Sequence, residues 1–272
     1  MPELPEVESV RAYIEAHAVG KRIEDVRLLL PRLVKNTTPE EFCRRLTGQT
    51  ISAVSRKGKY LLLRCSGGPS LLVHLRMTGS LIYQEEYEEI RGQRIIFALN
   101  EGYILYRDVR TLGCLWLVPP EGPTGISGYD SLGPDGNSNE FTLSYLQESL
   151  QSSKRSVKSF LLDQTCVAGL GNIYADEALF LAGVRPQRRC CDISPDECRR
   201  LHEAIGVVLR QGLAHGGTTI RDFISGNGQE GSNQAFLQVY GKEGTPCPRC
   251  GHTIIYTKFA GRGTHYCPHC QV

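Results

Sequence analysis

The sequence has no apolar run near the ~18 residues that a membrane-spanning helix needs. Its opening Met1-Pro2-Glu3-Leu4-Pro5-Glu6 also lacks the charged and apolar stretches of a secretory leader. These absences give the expectation of a soluble, unexported protein. Charge of one sign is equally scarce: 31 Lys+Arg face 29 Asp+Glu, a net charge of +2. So small an excess excludes a global polyanion-attracting field, and any basic surface must be local. A complete disulfide framework is excluded too, because eleven cysteines cannot all pair. Seven of them are scattered and read as reduced, buried or idle thiols.

What is present divides the 272 residues into regions. After Pro5, Val7, Val10 and Ile14 recur at helical spacing. Short apolar and aromatic runs follow at 60–63, 71–75, 94–99, 103–106 and 115–118, the spacing of a sandwich or barrel. Residues 119–139 are rich in Gly, Pro, Ser and Asn and place a domain boundary there. Beyond it the period becomes helical: Leu143, Leu146 and Leu150, then Val157, Phe160 and Leu161. One helix is expected from Asn172 to near Gly183. Another opens at Ser194-Pro195-Asp196-Glu197, which supplies a cap, a first-turn proline and a capping-box glutamate. The expected division is 1–131, a linker at 132–139, a helical domain at 140–240 and a terminal module at 241–272.

That module carries the strongest purely chemical signal. Cys247, Cys250, Cys267 and Cys270 form two CxxC knuckles separated by sixteen residues, the pattern of a tetrahedral four-thiolate zinc site. Four protein ligands leave no open position for substrate, so the expected zinc is single and structural. Between the knuckles, Arg262 sits in Gly261-Arg262-Gly263, where a hairpin tip is expected and a phosphate contact is open to it. Read without further context, Arg262 is equally a solvated turn residue.

Five segments in order, Pro2–Glu8, Lys57–Leu61, His74–Gly79, Gly169–Tyr174 and the cysteine module, resemble formamidopyrimidine-DNA glycosylases over essentially the whole chain. The resemblance implies an α+β protein: an N-terminal β-sandwich bearing the catalytic helix, a helix-two-turn-helix domain and a zinc finger, with DNA expected between the first two. It implies a base-excision repair enzyme that removes 8-oxoguanine and formamidopyrimidines from damaged double-stranded DNA, then cleaves the abasic strand by β,δ-elimination. A monomer in the bacterial cytosol, associated with the nucleoid and without organic cofactor, is expected.

The resemblance assigns roles by position. Pro2, freed of Met1, is the amine nucleophile, Glu3 the general acid, and Lys59 an aid to elimination that contacts phosphate. Taken alone, Lys59 reads as a strand-edge lysine with a solvated ammonium. Asn172 and Arg262 match phosphate-gripping residues, and Arg262 is also implicated in δ-elimination; Asn172 additionally reads as a helix cap beside a glycine-rich turn. Met77 and Arg110 match residues that fill the void of an extruded nucleotide, and Leu112 matches the intercalating wedge. In isolation Met77 and Leu112 read as core. Lys154 and Lys158 match positions that approach DNA, and His74 a phosphate contact.

Departures fall on recognition. Thr111 and Leu112 replace a basic-aromatic pair, Arg91 and Gln93 stand in place of two histidines, and Asn233 replaces an aromatic near the loop that closes over the flipped base. Arg91 remains able to bind phosphate. These changes lead to the expectation of weaker discrimination for 8-oxoguanine than for formamidopyrimidines or abasic sites. Two other readings stay open: an endonuclease VIII-like enzyme acting on oxidised pyrimidines, against which Leu4, Met77 and Arg110 speak, and a non-catalytic, zinc-containing binder of damaged DNA.

Overall fold

Pro5 fixes the first turn of α1 (Leu4–Ala18), whose buried stripe of Leu4, Val7, Val10, Ile14 and Ala18 continues the spacing seen in the sequence. The computed structural model describes residues 1–272. They pack as two units, one made of 1–131 with 215–232, the other of 132–214 with 233–272.

In the first unit, α1 is followed by β1 (Ile23–Leu28) and α2 (Pro39–Leu46), then β2 (Thr50–Lys57), β3 (Tyr60–Ser66), β4 (Ser70–His74), β5 (Gly79–Gln84), β6 (Gln93–Leu99), β7 (Tyr103–Asp108) and β8 (Cys114–Val118). A single helical turn, α3 (Ser127–Asp130), closes the series. The strands form two four-stranded antiparallel sheets, ordered β1-β6-β7-β5 and β2-β3-β4-β8. One core joins them: Leu61, Leu71, Val73 and Leu115 of one sheet pack in the same cluster as Leu81, Ile95, Phe97 and Ile104 of the other, with Val7, Val10 and Ile14 of α1. Burial of both inner faces is what holds a sandwich together.

The second unit contains α4 (Leu143–Gln151), α5 (Val157–Leu162), α6 (Asn172–Ala182), α7 (Pro195–Ala214), and a hairpin of β9 (Ile255–Phe259) and β10 (Arg262–Tyr266). Side-chain oxygens of Thr142 and Ser156 cap α4 and α5. Gly183, at φ +73°, ends α6 in the left-handed conformation that glycine adopts without cost. At α7 the capping box is complete, with the Glu197 N–H donating to Ser194 Oγ at 3.3 Å and the Ser194 N–H donating to Glu197 Oε2 at 2.9 Å.

Two stretches differ from the expected division. Residues 132–139 pack within the second unit: Ala168 N–H donates to Pro134 O at 2.9 Å and Gly133 N–H to Gln164 O at 3.0 Å. Residues 215–232, expected within the helical domain, pack instead with the sandwich, where Ser80 Oγ donates to Ile224 O at 2.7 Å and Tyr83 N–H to Gly226 O at 3.0 Å. No helix is long and apolar enough to cross a membrane.

Candidate functional site

The sandwich gathers its functional candidates at the start of α1. Pro2 is buried, and Glu3, 2% exposed, occupies the position before the helix. The Glu3 N–H donates to Glu6 Oε2 at 2.7 Å, and Glu6 Oε1 accepts the Thr218 N–H at 2.6 Å. Glu6 thus ties the helix start to the 215–232 segment, whose Gly217 has φ +87° and would press a Cβ to 2.8 Å from Glu6 Cγ.

Lys59 lies in the two-residue turn between β2 and β3, where Lys57 pairs with Tyr60 and Gly58 has φ +56°. The ammonium is not solvated as a strand-edge lysine would be: Lys59 is only 5% exposed. Its charge is felt at two neighbours. The chain-terminal amine is held below its ordinary value of 8.0, first by burial and then by Lys59 and Arg110, against the opposing pull of Glu3 and Glu6. This amine belongs to Met1, one residue upstream of Pro2, whose own nitrogen is an amide while Met1 remains. The second neighbour is His74. Burial, helped by Arg76 and Lys59, pushes its imidazole down from 6.5 to about 3. The Arg76 N–H donates to His74 Nδ1 at 3.0 Å, so the neutral ring carries its proton on Nε2.

Met77, Arg110 and Leu112 are exposed, Met77 by 37% and Leu112 by 46%, which corrects the reading of Met77 and Leu112 as core. They stand on two turns that lead from β4 to β5 and from β7 to β8. Arg91 is exposed just before β6. Gln93 is buried, and its Nε2 donates to Tyr87 Oη at 3.0 Å.

The second unit holds the remaining candidates. Gly171, not Asn172, occupies the cap position of α6; Asn172 is the first helical residue, and its buried Oδ1 has no hydrogen-bond partner in the protein. Arg262 is exposed at the start of β10, next to the turn Ala260-Gly261, both residues of which have positive φ. It borders a cleft of about 250 Å³ shared with Arg155, Ser159, Asp163 and Phe259. Lys154 is exposed ahead of α5.

Lys158 requires a correction. Expected to approach DNA, it is 1% exposed, with Nζ 2.6 Å from Asp176 Oδ1 and donating to Gly263 O at 2.7 Å and Thr264 Oγ1 at 2.8 Å. A buried ammonium is tolerated only when so paired, and these contacts direct it inward to the hairpin. Asn233 is also buried; its Oδ1 accepts from Gln211 Nε2 at 3.3 Å, beside a cavity of about 60 Å³ lined in part by Tyr174 and Glu177.

The four cysteine sulfurs lie within 4.8 Å of one another, with Cys247–Cys270 and Cys250–Cys267 separations of 3.8 and 3.5 Å. A tetrahedron of Zn–S bonds of about 2.3 Å has S···S edges of about 3.8 Å, so the donor set fits zinc. No disulfide consumes the thiols, and backbone N–H groups of Arg249 and Cys270 point at the sulfurs of Cys247 and Cys267 at 3.4 Å.

Sequence reasoning missed what seats this module. Asp176 Oδ2 accepts the His265 N–H of β10 at 2.9 Å, and Glu177 accepts the N–H groups of Gln238, Val239 and Tyr240 at 2.8–2.9 Å. Burial raises the Glu177 carboxyl despite these bonds. Arg249 donates to the Phe180 and Leu181 carbonyls at the end of α6, both at 3.0 Å. Two adjacent acids inside the otherwise apolar run of α6 were the available signal.

Comparison with known proteins gives three family matches: the formamidopyrimidine-DNA glycosylase N-terminal domain over residues 1–115, the formamidopyrimidine-DNA glycosylase H2TH domain over 132–224, and the zinc finger found in FPG and IleRS over 244–272. A formamidopyrimidine-DNA glycosylase of Pelotomaculum thermopropionicum is 45% identical, with all of this chain and 99% of that protein covered. A Lactococcus lactis FPG variant in complex with a Fapy-dG containing DNA superposes with TM-score 0.90 at 36% identity, covering 99% of each chain. MutM in complex with carbocyclic 8-oxo-G containing DNA gives 0.91 at 36%, with the same coverage.

Proposed function

This chain belongs to the formamidopyrimidine-DNA glycosylase family, and from that premise we propose that it excises oxidised purines from duplex DNA and cleaves the resulting abasic strand. The observation that carries the mechanism is the burial of Pro2, Glu3 and Lys59, the last two with charges that act at the chain terminus. With Met1 removed, the free amine is that of Pro2. Its nitrogen lone pair attacks C1′ of the damaged nucleoside, the N-glycosidic bond breaks, and the base leaves with its electron pair and takes up a proton. Glu3 is the proposed proton donor, to the departing base or to the opening sugar oxygen.

The attached nitrogen then gives up its proton, the C1′–O4′ bond breaks with O4′ taking up a proton, and the resulting iminium acidifies the C2′ proton. Loss of that proton expels the 3′ phosphate, and a second elimination expels the 5′ phosphate. Lys59 and Arg262 are the proposed electrostatic partners of these departing phosphates, with Asn172 and His74 as neutral donors along the strand. A His74 ring that stays neutral with its proton on Nε2 can donate at any physiological pH. Met77, Arg110 and Leu112 are assigned to the space left by the extruded nucleotide, and Arg91 and Lys154 to backbone contacts.

Domain roles follow the same reading with the two stretches reassigned: 1–131 with 215–232 as the catalytic domain, 132–214 with 233–240 as the helical DNA-binding domain and 241–272 as the finger, one structural zinc being held by its four cysteines. Thr111, Leu112, Gln93 and Asn233 support weaker discrimination for 8-oxoguanine than for formamidopyrimidines.

The test uses Met1-free, zinc-loaded protein on duplexes bearing 8-oxoguanine, a formamidopyrimidine, an oxidised pyrimidine or an abasic site. Release of the damaged purine together with a one-nucleotide gap flanked by two phosphates is expected. Preferential release of the pyrimidine would transfer the chain to the endonuclease VIII type, and binding without release would leave a damage binder. Comparable rates for the two purine lesions opposite cytosine would contradict the proposed discrimination.

A further inference from the structure

Two turns cross from one sheet of the sandwich to the other at the same edge. Residues 75–78 lead from β4 to β5 and residues 109–113 from β7 to β8. At their ends His74 pairs with Cys114, and Gly79 with Asp108. The tips present Met77, Arg110 and Leu112 to solvent.

Beneath the tips lie buried polar groups that the chemistry above does not use. Asp108 is fully buried: its Oδ1 accepts the Thr78 hydroxyl at 2.5 Å and its Oδ2 accepts the Gly113 N–H at 2.7 Å. Thr78 Oγ1, itself buried, accepts the Arg110 N–H at 2.9 Å. These three bonds link the first turn to both ends of the second through one carboxylate and one hydroxyl. A buried carboxylate is costly unless its lone pairs are satisfied, so neither turn can shift without stranding it.

Steric and backbone features point the same way. The Tyr106 hydroxyl is wedged between the two turns, where a Cβ on Gly79 would fall 2.6 Å from it and a Cβ on Gly113 only 1.7 Å away. Each turn also contains a non-glycine residue in the left-handed region, Arg76 at φ +57° and Thr111 at φ +56°. Such conformations persist only where the surroundings over-determine them. From outside, Arg32 Nη2 donates to Thr111 Oγ1 at 2.5 Å.

We infer that Asp108 and Thr78 are positioning residues that hold the turns bearing Met77, Arg110 and Leu112 as one rigid wedge, and that this wedge selects lesions embedded in paired, stacked duplex. The inference rests on the glycosylase reading above. Its physical basis is that extruding a stacked, paired nucleotide leaves a void to be filled by side chains at fixed places, whereas an abasic site in a single strand has no such void.

The test compares the unmutated protein with D108N, T78V and T78S, each checked by thermal melting, on a lesion opposite cytosine in duplex and on an abasic site in a single strand. D108N and T78V should lose about 10-fold or more in kcat/KM on the duplex lesion, and less than about 2-fold on the single strand. T78S, which keeps the hydroxyl, should recover most of the duplex rate. Equal losses on both substrates, or undiminished duplex activity, would overturn the inference. Should D108N fail to fold, the T78V and T78S pair decides alone. Inactivity of the unmutated protein on both substrates would instead remove the glycosylase reading, and this inference with it.

Discussion

The terminal amine is poised by burial and by the opposed charges around it, and its neighbours therefore have effects of predictable sign. While Met1 is present, burial, Lys59 and Arg110 hold its amine below 8.0 against Glu3 and Glu6, which shows the sign of each charge at the chain terminus. With Met1 removed, the Pro2 nitrogen is the terminal amine, and strand cleavage at abasic sites should rise with pH along a limb whose midpoint reports its loss of a proton. Removing the Lys59 charge in Lys59→Met should move that midpoint up, and Glu3→Gln should move it down, whatever each does to the maximum rate. A pH–rate profile for each variant checks this, and shifts of the same sign would contradict it.

His74 supplies a second residue-scale prediction, this time on stability. Its native value of about 3 lies below the unfolded value near 6.5, so between those limits the unfolded chain binds the extra proton. Stability should therefore be intact above about pH 6.5 and fall as pH drops toward 3, by an amount on the order of a few kcal/mol. Urea denaturation at pH 7 and pH 4.5 should show a smaller loss for His74→Asn than for the unmutated chain.

Among secondary elements, α6 organises the second unit. Its Asp176 joins Lys158 of α5 to the hairpin that carries Arg262, and its Glu177 holds the 238–240 backbone. Breaking the buried ion pair with Lys158→Met should cost about 3–5 kcal/mol by leaving the buried Asp176 carboxylate without its counter-ion, held only through His265. The double change Lys158→Met/Asp176→Leu should recover much of that loss, which a double-mutant cycle in urea would measure. Losses that simply add would show that the pair is not coupled.

Elements were legible where the sequence states them locally. The Val7–Ile14 period, the Ser194–Glu197 capping box and the apolar runs at 60–63 and 103–106 each encode their own conformation, and each became the element expected. The site was legible only where a motif names its chemistry: the two CxxC knuckles define a donor set without reference to the fold. The burial of Lys59 and Lys158 was not legible, because a lysine's surroundings come from strands and helices distant in sequence. Asp108 and Thr78 escaped for the same reason, thirty residues apart in the chain and joined only by the pairing of β5 with β7. The fate of residues 215–232 was hidden likewise, since their partners, Glu6 and Ser80, lie more than a hundred residues away.

For the whole molecule, the cysteine module and the helices of its unit depend on one another. Phe180 of α6 packs with Val239, Ile254, Cys247 and Cys267 in a cluster too small to fold the tail without metal. Zinc affinity of order 10–16 kcal/mol is folding energy for such a module. Chelation should therefore release one equivalent of zinc, lower Tm and abolish retention on damaged duplex, and zinc re-addition should restore both. Unchanged Tm and DNA retention after complete zinc loss would contradict a structural metal.

The central claim is that the nitrogen of Pro2 becomes covalently bound to the damaged nucleoside, and the most direct measurement is borohydride trapping followed by peptide mapping of the adduct. Met1-free protein incubated with a duplex bearing an oxidised purine should give a stable protein–DNA adduct on the amino-terminal peptide at Pro2. Retention of Met1 should abolish it, since the proline nitrogen is then an amide. An adduct mapped to Lys59 or another lysine, or none with Met1 removed and zinc bound, would contradict the account.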